Sequence, residues 1–424
     1  MSYNCLYIHP YVHVTIEKDE ALFYNTLSYD SCVVNDTDVL KILNNPATPE
    51  MNVFLINRDD LSGSEVVSFI EKIRALYMGD LMIDVNPKCL PVQIPLKPKV
   101  HHNYSAESSR TELDEGYLLL DNLHQITIYT NKIEFDELRF KDAYKQFLYF
   151  KSMDGELNVE LILKRLTEFR LDNLQAINIV GDSNYKEFDR LTDSLRSLQC
   201  AVNYIYNLDS ITSRDLLVLD YDNSRINIQV SFPCDVSKVE WLCNKVDNYG
   251  SDKIAYSFII ESSDDLLDAQ KTINGFSINQ YEYKPYLSES NYEFFRDNVF
   301  VSQSDILSTE YNSRDILINQ TMSLNFFGKL VIYENGDVFS NVNKNSLGNL
   351  DTQSIASLIK QEFQSGNSWL LTRDKREKCS NCIYRYICPA ISNYEFFADV
   401  DTICLKYNMF SSLTHQTNFI NQTF

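Results

Sequence analysis

The chain has 424 residues, with 38 Lys and Arg against 59 Asp and Glu, and its formal net charge is −21. Such an acidic chain is not expected to bind nucleic acid or an anionic membrane, because those surfaces attract clusters of basic side chains. The length predicts two to four domains, and the 44% hydrophobic content suits packed cores rather than disorder.

The sequence also indicates a cellular compartment. It contains no apolar stretch of about 18 residues, the length that a membrane-spanning helix needs, and the first residues lack the basic region of a signal peptide. We therefore expect a cytoplasmic protein. Cysteines rarely form disulfides in a reducing compartment, so clustered cysteines are first candidates for metal ligands. Three of the ten cysteines lie within ten residues: Cys379, Cys382 and Cys388.

The sequence of residues 1–85 predicts a small module of strands followed by helices. The runs Cys5 to Ile16 and Ala21 to Leu27 flank a charged turn and predict a hairpin, and Ser31 to Val34 predicts a short third strand. A helix is expected from Thr37 to Leu43, after Asn35 or Asp36 as its cap. A second helix is expected from Ser64 to Met78, where apolar residues recur at helical spacing.

Residues 86–118 predict a linker, because this stretch holds four of the ten prolines and then turns polar. From residue 119 to 290, strands alternate with amphipathic helices, which is typical of βα units around a parallel sheet. The predicted strands are Gln125 to Thr130, Ala176 to Val180, Val202 to Tyr206, Ile226 to Ser231, Lys253 to Ile260 and Ile278 to Tyr283. The predicted helices are Val159 to Phe169, Lys186 to Leu198, Lys238 to Val246 and Asp264 to Ile273.

This pattern predicts an α/β fold built as a partial (β/α)6 barrel, since about six units are fewer than a closed eight-unit barrel requires. In the third connection, Asp215 to Asp220 fits a strand as readily as a helix.

A third domain is predicted from residue 320 to 410, followed by a loosely held tail from 411 to 424. Its hairpin from Leu324 turns at Asn335-Gly336-Asp337, residues that tolerate the positive φ of a type I′ turn, and a helix from Thr352 to Phe363 follows. The motif Cys379-x2-Cys382-x5-Cys388 comes next, with Cys404 as a possible fourth ligand. Thiolates at this spacing suit zinc or an iron–sulfur cluster. The alternative is four free thiols in a helical segment.

The hairpin, the stretch Leu347 to Leu350 and the cysteine motif together resemble a SPASM domain, the auxiliary-cluster domain of radical SAM peptide maturases. In that family a cysteine closes the hairpin about where Asn341 stands here, so the resemblance implies a single site rather than a pair of clusters. It implies that four residues hold an iron–sulfur cluster, [4Fe-4S], with zinc as the alternative. These residues are Cys379, Cys382, Cys388 and Cys404.

The preceding region resembles the partial barrel of radical SAM enzymes. Those enzymes bind a [4Fe-4S] cluster and S-adenosylmethionine through a CxxxCxxC motif after the first strand, whereas this chain has no cysteine between Cys89 and Cys200. Ile177 to Asp182 stands where those enzymes contact the methionine end of S-adenosylmethionine, but it keeps only one glycine, and a Gly-Asp pair at a strand end is usually just a turn. Cys200, Cys234 and Cys243 fall on different units and are interpreted as structural thiols. No S-adenosylmethionine is therefore expected, and no catalytic residue is assigned.

The N-terminal module resembles the winged-helix peptide-recognition element of ribosomal natural-product maturases, in its order of strands and helices and in the stretches Tyr24 to Thr26 and Tyr77 to Leu81. Such elements bind the leader of a precursor peptide as an added strand. The resemblance implies a binding edge of Cys32, Val33 and Val34, with the second helix as its other wall. The alternative is a winged helix that only packs on the barrel.

Over nearly its whole length the chain resembles the pseudo-radical SAM proteins of Bacteroidales-type peptide systems, which keep the maturase architecture without the catalytic motif. The resemblance implies a catalytically inactive accessory or scaffold that binds precursor peptide, an active radical SAM maturase, or both. Two alternatives stay open. One is an enzyme with non-radical or electron-transfer chemistry, and the other is a zinc-stabilised interaction protein.

Overall fold

The computed structural model describes residues 3–46, 52–57, 59–85, 120–130, 139–140, 142–146, 148–149, 157–167, 173–181, 183–246, 249–250, 253–366, 368–398 and 403–405. The predicted linker 86–118 and tail 411–424 lie outside these residues. In the described part, the chain is a mixed α/β structure with one nine-stranded sheet and two three-stranded sheets. No helix of that part has the length and apolar content to cross a membrane.

The N-terminal module contains two antiparallel sheets and two helices. Its strands are β1 (Tyr3–Ile8), β2 (Val12–Ile16), β3 (Ala21–Asn25), β4 (Ser31–Val34), β5 (Val53–Ile56) and β6 (Gly79–Val85), and its helices are α1 (Thr37–Leu43) and α2 (Ser64–Ala75). One sheet has the order β5-β1-β6 and the other β2-β3-β4. The Asp36 carboxylate accepts the N–H groups of Asp38 and Val39, both at 3.0 Å, and so caps α1.

The module differs from the sequence prediction in its strands and in the end of its second helix. The predicted strand Cys5 to Ile16 is two strands in different sheets, because the chain turns where the Val12 N–H donates to the His9 carbonyl. Strand β1 then pairs with β5 and β6, two short strands that no prediction included. Helix α2 ends three residues before the predicted Met78, because Tyr77 takes a left-handed backbone conformation with φ of 52°.

The large sheet contains all six predicted strands, in chain order and parallel. They are β7 (Gln125–Tyr129), β8 (Ala176–Val180), β9 (Ala201–Asn207), β10 (Ser224–Val230), β11 (Ile254–Ile260) and β12 (Tyr281–Pro285). Beyond β7 the sheet continues with β13 (Lys329–Ile332), β14 (Asp337–Phe339) and β15 (Gly348–Asn349). Strand β13 is parallel to β7, and β14 and β15 are antiparallel. The antiparallel pairing of β13 with β14 confirms the predicted hairpin. The predicted type I′ turn is wrong, because only Gly336 of the turn, at φ 83°, has a positive φ and type I′ needs two such residues.

Helices connect the parallel strands and form the C-terminal region. They are α3 (Val159–Thr167), α4 (Phe188–Leu195), α5 (Val236–Val246), α6 (Ser263–Gly275), α7 (Tyr292–Val299), α8 (Gln303–Ser308), α9 (Ser313–Thr321), α10 (Ile355–Ser365), α11 (Glu377–Ser380) and α12 (Asn393–Phe397). The four predicted connecting helices and the predicted helix after the hairpin are present. Asp215–Asp220 is a 3-10 helix rather than a strand.

The two faces of the large sheet differ in character, because side chains alternate along a strand. The outer face, with Ile126 and Ile177, is fully buried against helices α3 to α6 in the largest apolar core. The inner face carries polar side chains such as Thr127 and Asn178. The inner face is therefore a candidate functional site. The edge strand β4 and the clustered cysteines, both predicted from the sequence, are the other candidates.

Candidate functional site

Polar side chains on the inner face of the large sheet are joined across neighbouring strands. The Asn178 side-chain amide donates to the Thr127 hydroxyl at 3.2 Å, and the Asn203 side-chain amide donates to the side-chain Oδ1 of Asn178 at 2.9 Å. On the far strands, the Ser257 hydroxyl lies 2.9 Å from the side-chain Oδ1 of Asn227 and 2.7 Å from a carboxylate oxygen of Glu282. Most of these groups therefore satisfy one another, as buried polar groups must.

Gln229 differs from its neighbours in this row. It stands in register with Asn207 and Ser257, is 1% exposed, and neither of its amide atoms has a hydrogen-bond partner among the described residues. A buried amide left this way costs about 1–3 kcal/mol, so Gln229 is where a bound polar molecule or water would be stabilising.

The stretch after β8 is only partly described by the structure. Gly181 follows the strand with φ of 155°, and Asp182 lies outside the described residues. Thr130 is fully buried, and its N–H donates to the Val180 carbonyl at 3.0 Å. The contact continues the pairing of β7 with β8.

The predicted peptide-binding residues Cys32, Val33 and Val34 lie on β4, an edge strand. Strand β4 pairs with β3, and no other strand of the described chain pairs with it. The Asn25 N–H donates to the Asp30 carbonyl at 2.9 Å, and bonding alternates along an antiparallel ladder. The N–H groups of Ser31 and Val33 therefore point away from β3, toward a possible added strand.

Helix α2 covers one face of the sheet that contains β4. Cys32 and Val34 share a buried core with Phe69, Ile70 and Ile73 of that helix. Burial raises the pKa of the Cys32 thiol, and the charge and hydrogen bond of Lys72 partly oppose that shift. Lys72 is exposed, so a strand added to β4 would have this ammonium beside it.

The other face of the same sheet packs against the C-terminal region. The residues of this second cluster include Leu22, Tyr24, Ile306, Ile316, Cys382, Ile383, Ile387 and Cys388, with Val33 packed against them. The Tyr24 hydroxyl donates to the Thr309 carbonyl at 3.0 Å and accepts the Tyr311 N–H at 2.9 Å. Arg385 also pairs with the Glu17 carboxylate. The sheet that contains β4 therefore packs against helix α2 on one face and against the C-terminal region on the other.

All four predicted metal ligands are buried free thiols: Cys379, Cys382, Cys388 and Cys404. Short backbone contacts position them. The Cys382 N–H donates to the Cys379 carbonyl at 3.0 Å, which makes a tight turn, and Cys404 is brought in by a β-bridge to Val301. The described residues 379–388 are called the cysteine segment below.

A buried ion pair stands beside these thiols. Arg373 donates to the Glu395 carboxylate at 2.9 Å and to the Pro389 carbonyl at 2.6 Å, and it lies 3.8 Å from the Cys379 sulfur. Burial raises the pKa of the Cys388 thiol to about 12. Arg373 opposes that shift, while Cys404 and Cys379 add to it. Cys388 is therefore electrostatically close to two of the other thiols.

The thiols fit a thiolate-bound metal in their chemistry, because they are buried and have a cation beside them. Their arrangement is not a coordination sphere. Among the described residues, no group of three or more His, Cys, Asp or Glu side chains is arranged so that it could hold a metal ion. The Cys382 side chain lies in the apolar cluster with Leu22. The metal site therefore stays a prediction.

Cys200, Cys234 and Cys243 are placed as the sequence suggested, apart from one another. Cys200 is buried, and the other two are half-buried. The Cys243 thiol lies 3.6 Å from the Tyr256 hydroxyl, a contact within the core between β11 and α5. Sequence reasoning missed Gln229 and the Arg373–Glu395 pair, because a single buried polar group or ion pair leaves no motif or period.

Comparison with known proteins gives few matches. No protein-family model matches the chain, and no curated protein matches it. SuiB of Streptococcus suis bound to S-adenosylmethionine is similar with a TM-score of 0.44 and 12% identity, over 94% of this chain and 99% of that chain. SuiB bound to precursor peptide SuiA is similar with a TM-score of 0.46 and 13% identity, over 94% of this chain and 100% of that chain. TM-scores this low carry no argument about the present chain.

Proposed function

We propose that this chain is a catalytically degenerate radical SAM homologue that serves as an accessory or scaffold in the maturation of a ribosomally made peptide. It binds the leader of the precursor peptide, an active radical SAM maturase, or both, in the cytoplasm. The finer architecture belongs to the same proposal. Residues 1–85 are a winged-helix leader-recognition module, 119–290 a partial (β/α)6 barrel, and 320–410 a SPASM-like domain.

The observation that carries the proposal is the outer edge of β4. Its outward N–H groups at Ser31 and Val33 can bond an added strand, and both faces of its sheet are packed, so the edge does not have to become ordered on binding. Backbone pairing at such an edge gives affinity, and alternate side chains of the added strand give specificity. The lack of CxxxCxxC after β7 supports the absence of radical chemistry.

The cysteines complete the proposal. Cys379, Cys382, Cys388 and Cys404 would hold a [4Fe-4S] cluster or, alternatively, zinc, after side-chain rearrangement from the described positions. With four thiolate ligands the metal has no open position, so its contribution would be to hold the C-terminal region together. Anaerobic purification followed by iron, sulfide and zinc analysis of the wild type and Cys382→Ser tests this part.

Selection from a displayed library of random peptides tests the peptide-binding function. Peptides selected on the wild type are expected to bind Val33→Pro about tenfold more weakly or worse, because proline removes one outward backbone N–H. Ile83→Pro is the matched control. Ile83 lies on the edge strand β6, its side chain is 67% exposed, and no residue of β1 is paired with it. Failure to select any peptide, or equal binding to both variants, would contradict the peptide-binding part of the proposal.

A second candidate function is non-radical chemistry on the inner face, and the unpartnered Gln229 amide favours it. It predicts that the chain alone changes the mass of a selected peptide, and that Gln229→Leu abolishes the change. Such turnover without a partner enzyme would overturn the accessory role.

A further inference from the structure

The chain segment that follows β7 packs against the inner face of the large sheet. Its described residues are 139–140, 142–146 and 148–149, which we call the inner segment, and it contains a 3-10 helix, Ala143–Gln146. Phe140, Ala143 and Leu148 form a buried cluster with Ile259 of β11 and Tyr286. The inner segment therefore covers the inner face at one side of the sheet.

The same segment reaches the strands at the other side. Tyr144 and Tyr149 pack against a buried cluster formed by Tyr129, Val180, Ile205 and Tyr333, which belong to or directly follow β7, β8, β9 and β13. The ring centroids of Tyr144 and Tyr333 are 6.4 Å apart, and those of Tyr129 and Tyr333 are 5.2 Å apart. Side chains of one short segment thus lie over strands on both sides of the sheet.

Polar contacts tie the inner segment down at three points. Arg139 donates to the Phe232 carbonyl at 2.7 Å and to the Glu261 carboxylate at 2.7 Å, at the carboxyl ends of β10 and β11. The fully buried Gln146 exchanges two hydrogen bonds with the backbone of Leu287, both at 2.8 Å. The Asn343 amide donates to the Lys145 carbonyl at 2.9 Å.

These contacts have the character of a packed core. A loop that opens for a ligand is expected to have few buried apolar contacts, whereas the inner segment has such contacts at both sides of the sheet. In α/β sheets a ligand normally binds outside the carboxyl ends of the strands, where Arg139 reaches between β10 and β11 here.

We propose that the inner segment is an intramolecular occupant of the inner face, held by an Arg139–Glu261 latch, and that it closes this face to small molecules, S-adenosylmethionine included. The inference deepens the proposed accessory function and rests on it only in assigning the chain no catalysis. It gives a structural reason why the chain would act as a scaffold rather than as an enzyme, because the chain's own aromatic side chains fill the inner face of the large sheet.

Hydrogen–deuterium exchange of the peptides covering 139–149 tests the occupant. The wild type is expected to protect these amides about as well as the neighbouring strands, and Arg139→Ala to speed their exchange at least about tenfold. Arg214→Ala is the matched control, because Arg214 also loses an ion pair, to Asp189 at 3.3 Å, but on an exposed surface. Exchange of the wild-type segment at the rate of unstructured chain would overturn the proposal, as would an unchanged rate in Arg139→Ala.

Equilibrium dialysis against S-adenosylmethionine supplies a second, independent readout. No saturable binding is expected for the wild type, and saturable binding would overturn the proposal. If Arg139→Ala does not fold, Gln146→Ala replaces it, with the same expected loss of protection. Peptide selection at β4 does not depend on either readout, so failure of the occupant and failure of the proposed function are distinguishable.

Discussion

The large sheet and the N-terminal module differ in whether other parts of the chain cover their surfaces. On the inner face of the sheet, the chain's own segment supplies Phe140, Tyr144 and Tyr149 as cover, and most polar groups bond one another. On the module, β4 is packed on both faces while its outer edge has no partner strand among the described residues. The two regions thus differ in whether the described chain itself supplies the partner for the surface.

Phe140→Ala tests the filled surface and has the largest expected effect. Phe140 is 4% exposed in a core cluster, and its truncation is expected to lower the free energy of unfolding by about 3–5 kcal/mol. Urea unfolding measures the loss. Leu217→Ala, at a side chain 56% exposed, is the control and should cost much less. Equal losses in both variants would show that the inner segment is not part of the core.

Much of the large sheet was predictable from sequence, for a physical reason. Strands β7 to β12 form contiguous apolar or alternating runs, and amphipathic helices between them bury one stripe each. Strands β5 and β6 were not predicted. The run of β5 is apolar but too short for its period to distinguish a strand from a helix, and acidic residues interrupt the apolar pattern of β6. Their pairing with β1 is set by tertiary contact across 46 or more residues of chain.

The candidate sites were predictable only where a local motif exists. The sequence predicted the cysteine motif and the strand from Ser31 to Val34, but it did not predict the position of the inner segment. Arg139 reaches Phe232 and Glu261 over sequence separations of 93 and 122, and no local pattern encodes such a contact. Gln229 on the inner face was missed because a single buried polar residue leaves no sequence motif.

The contact between the module and the cysteine segment is expected to have an intermediate effect. Arg385 and Glu17 form a partly buried ion pair, and their coupling energy in a double-mutant cycle of alanine variants should be about 1–2 kcal/mol. Thermal or urea unfolding supplies the four free energies. A coupling energy near zero would mean that this ion pair does not help to hold the module against the C-terminal region.

Alkaline pH should test the burial of the Tyr149 side chain in the inner segment. Burial raises the pKa of Tyr149 to about 12 from 10.0. Between these values the unfolded phenol ionises before the folded one, so the folded state binds more protons and stability falls as pH rises. Tyr149→Phe should recover about 1 kcal/mol of that loss at pH 11, measured by urea unfolding at pH 8 and 11.

Lys72→Met has the smallest expected effect. Lys72 stands beside Cys32 on the wall of the β4 edge, but backbone pairing gives most of the affinity for an added strand. Selected peptides should bind the variant about two- to fivefold more weakly, by fluorescence anisotropy. Lys41→Met is the control, because Lys41 is exposed on α1 and pairs with Asp38 at 2.6 Å. A loss as large as that of Val33→Pro would indicate recognition by charge rather than by strand addition.

Residue-resolved amide exchange of β4, with and without a selected peptide, tests the central claim most directly. The amides of Ser31 and Val33 point away from β3, so strand addition should slow their exchange at least about tenfold, while Cys32 and Val34, already bonded within the sheet, change less. Peptide binding that leaves Ser31 and Val33 unprotected would contradict recognition at this edge, and with it the account of the chain as a peptide-binding scaffold.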